Sequence, residues 1–172
     1  EFKWDESNRL SEINDENGKN ASFTYDSKGK LTKQFMRSQG ERKFEYDPEG
    51  NLTTSSDVNK YTKIEYDGQS NPVSRTTKHG DNFVIAKFDA NGKNSEIEAS
   101  NGRKVNIKRN AKGQESAISY SDNGKFEYGY DAAGRKSIEK MPSGSTYKST
   151  FNADNKVIRT VDSKGNKVTA EY

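Results

Sequence analysis

An acid returns along this chain at near-constant spacing: Asp5, Asp26, Asp47, Asp67, Asp89 and Asp131, with Asn110 and Asn152 in the same series. Side-chain oxygens in such a series could do one of three things. They could pair for acid–base catalysis, cluster around a hard cation, or accept backbone hydrogen bonds and close turns. Catalysis finds little support elsewhere in the sequence. The single histidine, His79, sits in the turn-like "KHGDN" with no partner that spacing assigns, and no nucleophile elbow, phosphate loop or zinc-protease motif occurs. Calcium chemistry lacks both the EF-hand ligand spacing and the glycine-rich nonapeptides of calcium-binding β-rolls. Turn closure accounts for the spacing directly. Three residues beyond each acid or amide stand Asn8, Gly29, Gly50, Ser70, Gly92, Gly113, Gly134 and Asn155. In "D-x-x-G" the carboxylate accepts N–H groups just ahead, the middle residues suit a type I turn, and glycine takes the left-handed conformation that closes a bulged hairpin. Asn tolerates that conformation better than most residues, and Pro48 stands where its fixed φ is already right. The acids are expected to be structural, with no catalytic residue, cofactor or metal.

The residue before each acid marks a repeat. Markers fall at Trp4, Tyr25, Tyr46, Tyr66, Phe88, Arg109, Tyr130, Phe151 and Tyr172, with steps of 21, 21, 20, 22, 21, 21, 21 and 21. The run into each marker alternates with period two, as in Val105-Ile107-Arg109 and Phe126-Tyr128-Tyr130. That pattern predicts a strand with one buried and one wet face. A second glycine series, Gly18, Gly40, Gly80, Gly102, Gly124, Gly144 and Gly165, lies about half a period away and supplies a second turn. The outgoing strand carries Leu10, Leu31, Leu52, Ile97, Ile118, Ile138 and Ile158 at no fixed offset from the marker, so its register stays open. The expected fold is all-β: residues 1–172 form a single array of eight hairpins, about 16 antiparallel strands, in a long sheet that twists and curls its aromatic face inward. A parallel solenoid with one repeat per coil is the rival, disfavoured by the hairpin turns.

The dyads Tyr25–Asp26, Tyr46–Asp47, Tyr66–Asp67, Phe88–Asp89 and Tyr130–Asp131 are therefore read as structural, their rings forming a core that few other residues could supply. Trp4, in the first unit, is a candidate partner contact, since a flat ring also complements a sugar. The frame breaks at "NGRKVNIKRNAKG", 101–113, where Arg109-Asn110 replaces the dyad and Arg103, Lys104, Lys108 and Lys112 gather. Alternation puts Arg109 on the aromatic face and turns Lys104 and Lys108 outward. The site is read either as a cation packed among rings with a solvated basic edge or as a place for an anion or acidic glycan.

Composition bounds these readings. Leu, Ile, Val and Phe supply only about 15% of residues, a level that goes with disorder when net charge is high. Here 29 basic and 26 acidic residues leave only +3, and the strict period argues for order. That balance disfavours nucleic-acid binding, no apolar run reaches membrane-span length, and without cysteine there is no disulfide framework. The first residue is Glu1 rather than Met, which fits a cleaved leader or a fragment.

"GERKFEYDPEGNL" (40–52) and "GKFEYGYDAAGRK" (124–136) resemble YD repeats, also called RHS repeats, in which a glycine and an aromatic lead into Y-D-x-x-G-R-L. The resemblance spans essentially the whole sequence and breaks at Arg109-Asn110, Ser70 and Asn155. It implies an antiparallel strip spiralling into a hollow shell, as in bacterial polymorphic toxins, insecticidal toxin complexes and teneurins. A non-enzymatic shell or scaffold segment of a secreted or cell-surface bacterial protein is thus expected, with a carbohydrate-binding or adhesive module as the alternative. The expected partners are flanking repeats or another protein, glycans, and copies joined edge to edge through open sheet edges.

Overall fold

The structure, a computed structural model, describes residues 1–171; the last marker, Tyr172, lies outside them. Among the described residues it is all-β, with 17 strands in sequence order. Two compact units divide the protein, Glu1–Lys93 with Ala99–Asn101, and Asn94–Glu98 with Gly102–Tyr172. The first contains β1 (Phe2–Trp4), β2 (Leu10–Asp15), β3 (Gly18–Tyr25), β4 (Leu31–Met36), β5 (Gly40–Tyr46), β6 (Leu52–Ser56), β7 (Lys60–Tyr66), β8 (Pro72–His79) and β9 (Asn82–Phe88). The second contains β10 (Asn94–Ala99), β11 (Lys104–Arg109), β12 (Glu115–Tyr120), β13 (Gly124–Tyr130), β14 (Lys136–Lys140), β15 (Thr146–Phe151), β16 (Val157–Asp162) and β17 (Lys167–Thr169). The count exceeds the expected 16 because every one of nine markers has its own incoming strand, the last being the three-residue β17.

Each unit is a meander in which a strand pairs antiparallel with its sequence neighbours. The solenoid alternative is thereby excluded. At most markers the register slips by one residue. Tyr25 lies opposite Leu31 while Thr24 lies opposite Lys33, leaving Thr32 as the extra residue of a bulge. The same slip occurs at Tyr46, Tyr66, Arg109, Tyr130 and Phe151.

The aromatic column does not form the expected closed core. Tyr25, Tyr46 and Tyr130 are only half-buried, and Trp4 is 60% exposed. The residues buried below a tenth of their surface are small: Ala21, Ala86 and Ala117. A single sheet offers these rings no second layer, so they stay part-open to solvent, and Tyr25, Tyr46 and Phe151 are each covered by a cationic side chain. Even the polar face hides an alanine, Ala117, which stands in register between Lys108 and Glu127 and is covered as long polar stems cover small neighbours.

Candidate functional site

The site that recurs is the junction between consecutive repeats at the D-x-x-G end. Each turn is closed three ways. The Asp or Asn N–H donates to the carbonyl four residues on at 2.8–3.0 Å, and the residue at the glycine position returns an N–H to the acid's carbonyl at 2.9–3.2 Å. The side-chain oxygen of the acid or amide then accepts the N–H of the residue after the glycine position, 2.7–3.0 Å away, in all eight turns. Asn8, Ser70 and Asn155 adopt φ of 62° where other units have glycine at 71–91°. The departures from the motif therefore keep its geometry. These bonds hold the Asp67 carboxyl below its usual range, chiefly through the Asn71 backbone N–H. At Asp131 the Arg135 backbone N–H leads, followed by the Arg135 side chain.

The residue after the glycine position reaches into the next repeat. Arg9 donates to Asp5 at 2.7 Å, to the Asp26 carbonyl at 3.1 Å, and lies 4.7 Å from the Tyr25 ring centre. Arg135 repeats this with Asp131, the Asn152 carbonyl and the Phe151 ring. Lys30 sits 5.1 Å from the Tyr46 ring centre, and Gln114 donates to the Gly134 carbonyl. One long polar side chain thus ties its own turn acid to the neighbouring turn, and where it is cationic over a ring it adds a cation–π contact.

The marker's tip makes the second tie, which sequence reasoning missed. Tyr25, Tyr46 and Tyr66 donate their hydroxyls to the carbonyls of Leu10, Leu31 and Leu52, each at 2.9 Å, and Tyr130 donates to Glu115 at 2.7 Å. Those carbonyls lie just past the end of the ladder, since pairing stops at Glu12–Ser22, Lys33–Lys43, Thr54–Lys63 and Ala117–Glu127. The hydroxyl therefore serves an acceptor that no facing strand reaches. Burial raises the Tyr66 and Tyr130 phenols above their ordinary value, so they remain donors at neutral pH.

Arg109 does the same work. Its Nη1 donates to the Asn94 carbonyl at 2.8 Å, beyond a ladder ending at Glu96–Asn106, and Nη2 lies 3.9 Å from Glu115. The side chain is only 13% exposed. The other basic residues of 101–113 do not converge on it. Arg103 pairs with Asp122 at 3.0 Å, and Lys104 lies between Glu98 at 3.1 Å and Glu96 at 3.5 Å, its pKa raised first by the Glu98 hydrogen bond. Lys104 and Arg109 stand at opposite ends of β11, roughly 17 Å apart at 3.4 Å per residue. Lys108 is exposed on the other face, and the Lys112 N–H is engaged by Asn110 Oδ1.

These features meet in a known architecture. The model of the teneurin YD-shell family matches residues 1–160. The chain belongs to the YD-shell family. Among solved structures, a TcdB2-TccC3-TEV crystal structure matches with a TM-score of 0.60 at 13% identity, over 99% of this chain and 11% of that one. A Tc holotoxin pore structure from Photorhabdus luminescens matches at 11% identity with a TM-score of 0.45, over 99% of this chain and 13% of that one. The YD-shell protein thus spans about a tenth of the length of the structures it matches. No curated protein matches it.

Proposed function

We propose that this protein is a wall segment of a YD shell: one continuous repeat array that holds its form without catalysis and serves a secreted or surface-displayed protein. The carrying observation is the double tie that recurs at the Tyr25, Tyr46, Tyr66 and Tyr130 junctions. There a marker donor and a turn-spanning polar side chain join a hairpin to the one before it, so hairpins add in sequence without a closed core. Flanking repeats or another protein at the open strand edges are the natural partners. The likeness in fold to the TcdB2-TccC3-TEV structure accords with a repeat array that continues into flanking repeats.

The test is a deletion within the full-length protein. Removing residues 26–46, one whole repeat, joins Tyr25 to Asp47 in frame, whereas removing 36–46 breaks the frame. A wall segment keeps protease resistance and sheet signal after the first deletion and loses both after the second. Equal damage from the two would overturn the reading.

A second reading, a glycan-binding or adhesive module, draws on one observation. Phe2 and Trp4, two apart on β1, are 64% and 60% exposed. A glycan array would show binding that Trp4→Ala removes while the far-ultraviolet spectrum stays unchanged; an empty array overturns this second reading.

A further inference from the structure

We propose that the polar face of β15, β16 and β17 is a docking surface for an extended acidic peptide segment of a partner protein, held by three cations that have no counter-charge within the fold. Two rows of side chains make up the surface, each running directly across the three strands. Lys148, Val161 and Lys167 stand opposite one another in the first row, and Thr150, Arg159 and Thr169 in the second. Residues directly opposite in an antiparallel ladder share a face, and alternation puts these six on the side away from the marker Phe151. Lys148, Arg159 and Lys167 are exposed, and their side chains make no hydrogen bond or ion pair among the described residues. Arg159 lies diagonally from each lysine, about 8 Å between Cα positions. The two lysines are about 10 Å apart, two strand spacings.

Elsewhere lysines of the polar face are met by carboxylates. Glu12 of β2 holds Lys3 of β1 at 2.7 Å and Lys19 of β3 at 3.0 Å. Glu41 takes Lys33 at 2.7 Å, and Lys104 lies between Glu96 and Glu98. In β16 the middle place, with a lysine on either side, belongs to Val161. Acids nearby in the sequence do not serve the three cations. Glu127 is engaged by Lys125 and Lys140, and Asp162 accepts the backbone N–H groups of Lys164 and Asn166 in its own turn. Glu171 forms no ion pair among the described residues. Like charges left together on one face repel, so a bound anion relieves a strain that the rest of the face does not carry.

The chemistry of the occupant follows from the same residues. Every side chain in the two rows except Val161 donates hydrogen bonds, and the three cations offer no acceptor. A partner's glutamate seated over Val161 reproduces from outside the arrangement around Glu12, one carboxylate between lysines of the two flanking strands. In an extended segment alternate side chains point the same way, about 7 Å apart, so acids two residues apart reach successive cations along a diagonal. No ring stands in either row for a base to stack on, which disfavours single-stranded nucleic acid. The surface is a strand face rather than a strand edge, so its use does not depend on flanking repeats.

Fluorescence anisotropy of a fluorescein-labelled oligoglutamate peptide, titrated with this protein at low ionic strength, tests this. The peptide should bind saturably and be released by added salt. Val161→Glu, which supplies the acid from within, should weaken binding on the order of tenfold, and Lys148→Gln combined with Lys167→Gln by a similar factor. Val161→Gln, of equal bulk without the charge, should leave binding nearly unchanged. So should Lys78→Gln, which removes an exposed charge from β8 instead. If Val161→Glu loses its far-ultraviolet sheet signal, the double lysine variant decides. No saturable binding, an equal loss with Lys78→Gln, or a tighter hold on a single-stranded oligonucleotide or phosphatidylserine vesicles than on the peptide would overturn the proposal.

Discussion

The repeats around Tyr46 and Arg109 differ in the most conspicuous residue of the motif, yet reach one result. Tyr46 sends a hydroxyl, and Arg109 a guanidinium N–H, to a backbone carbonyl 15 residues back, at 2.9 and 2.8 Å. Both acceptors lie where the facing ladder has stopped. The marker therefore works as a donor on a long, partly buried stem, and the ring is one way to build that stem. The phenylalanine markers complete the contrast. At Phe88 the pairing of β8 with β9 runs on to Ser74–Lys87, nearly to the marker itself, so the ladder extends further than in the tyrosine units. At Phe151 pairing of β14 with β15 stops at Ile138–Lys148, as early as in the tyrosine units, and phenylalanine has no donor to offer.

Substitutions can break that equivalence. The largest effect is expected for Arg109→Ala, which removes both the stem and the donor to Asn94. It should cost about 2 kcal/mol, the scale of stranding a partly buried acceptor, while Arg109→Tyr should recover the loss. Equilibrium denaturation of the two variants decides; a Tyr variant no better than Ala would mean that arginine has a different role. The smaller Tyr46→Phe change should cost about 1 kcal/mol by the same measure.

A still smaller gain sharpens the phenylalanine contrast. Phe151→Tyr should stabilise by about 0.5 kcal/mol by supplying the missing donor, whereas Phe88→Tyr should not, because pairing there runs to Lys87, the residue before the marker, while at Phe151 it stops at Lys148. Equal responses would show that ladder length is irrelevant. The smallest effect concerns charges on the exposed strand surface. Glu12 bonds to Lys3, then to Asn14 and Lys19, and its carboxyl is held at about 2 rather than the ordinary 4.5. Since the folded value is depressed, its contribution is present above pH 4.5 and fades as pH falls toward 2. Solvent and salt screen the cluster, since Lys3 and Lys19 are about half exposed. Glu12→Gln should flatten the acid limb of thermal stability in that window, and an unchanged limb would assign the acid sensitivity elsewhere.

Much of this was legible in the residues. The period, the eight turns and the incoming strands follow from the spacing of Asp5 to Asn152 and from alternation. The wandering of the outgoing strand was not, and the bulge explains it. With Thr32 as the extra residue, Leu31 and Gln34 fall on one face although three apart, so an apolar residue serves that face at either position. Leu52 uses the first place and Ile118 the second. Ile138 takes neither. It stands opposite Gly129, where an added Cβ would come within 3.0 Å of the Ile138 Cβ, so the small and large residues are matched across the strands. The marker's acceptor was hidden for another reason: it is a backbone carbonyl, which leaves no trace in residue identity. Proximity along 101–113 likewise overstated the basic cluster, because an extended strand carries Arg103 and Arg109 to opposite hairpin ends.

The meander pairing has a mechanical consequence. A strand joined only to its sequence neighbours can be peeled off without disturbing those beyond them, and each hairpin gives up its bonds in turn rather than all at once. Pulled from one end, such a unit yields as a zipper does, in small steps of similar force, and its contacts re-form locally when tension is released.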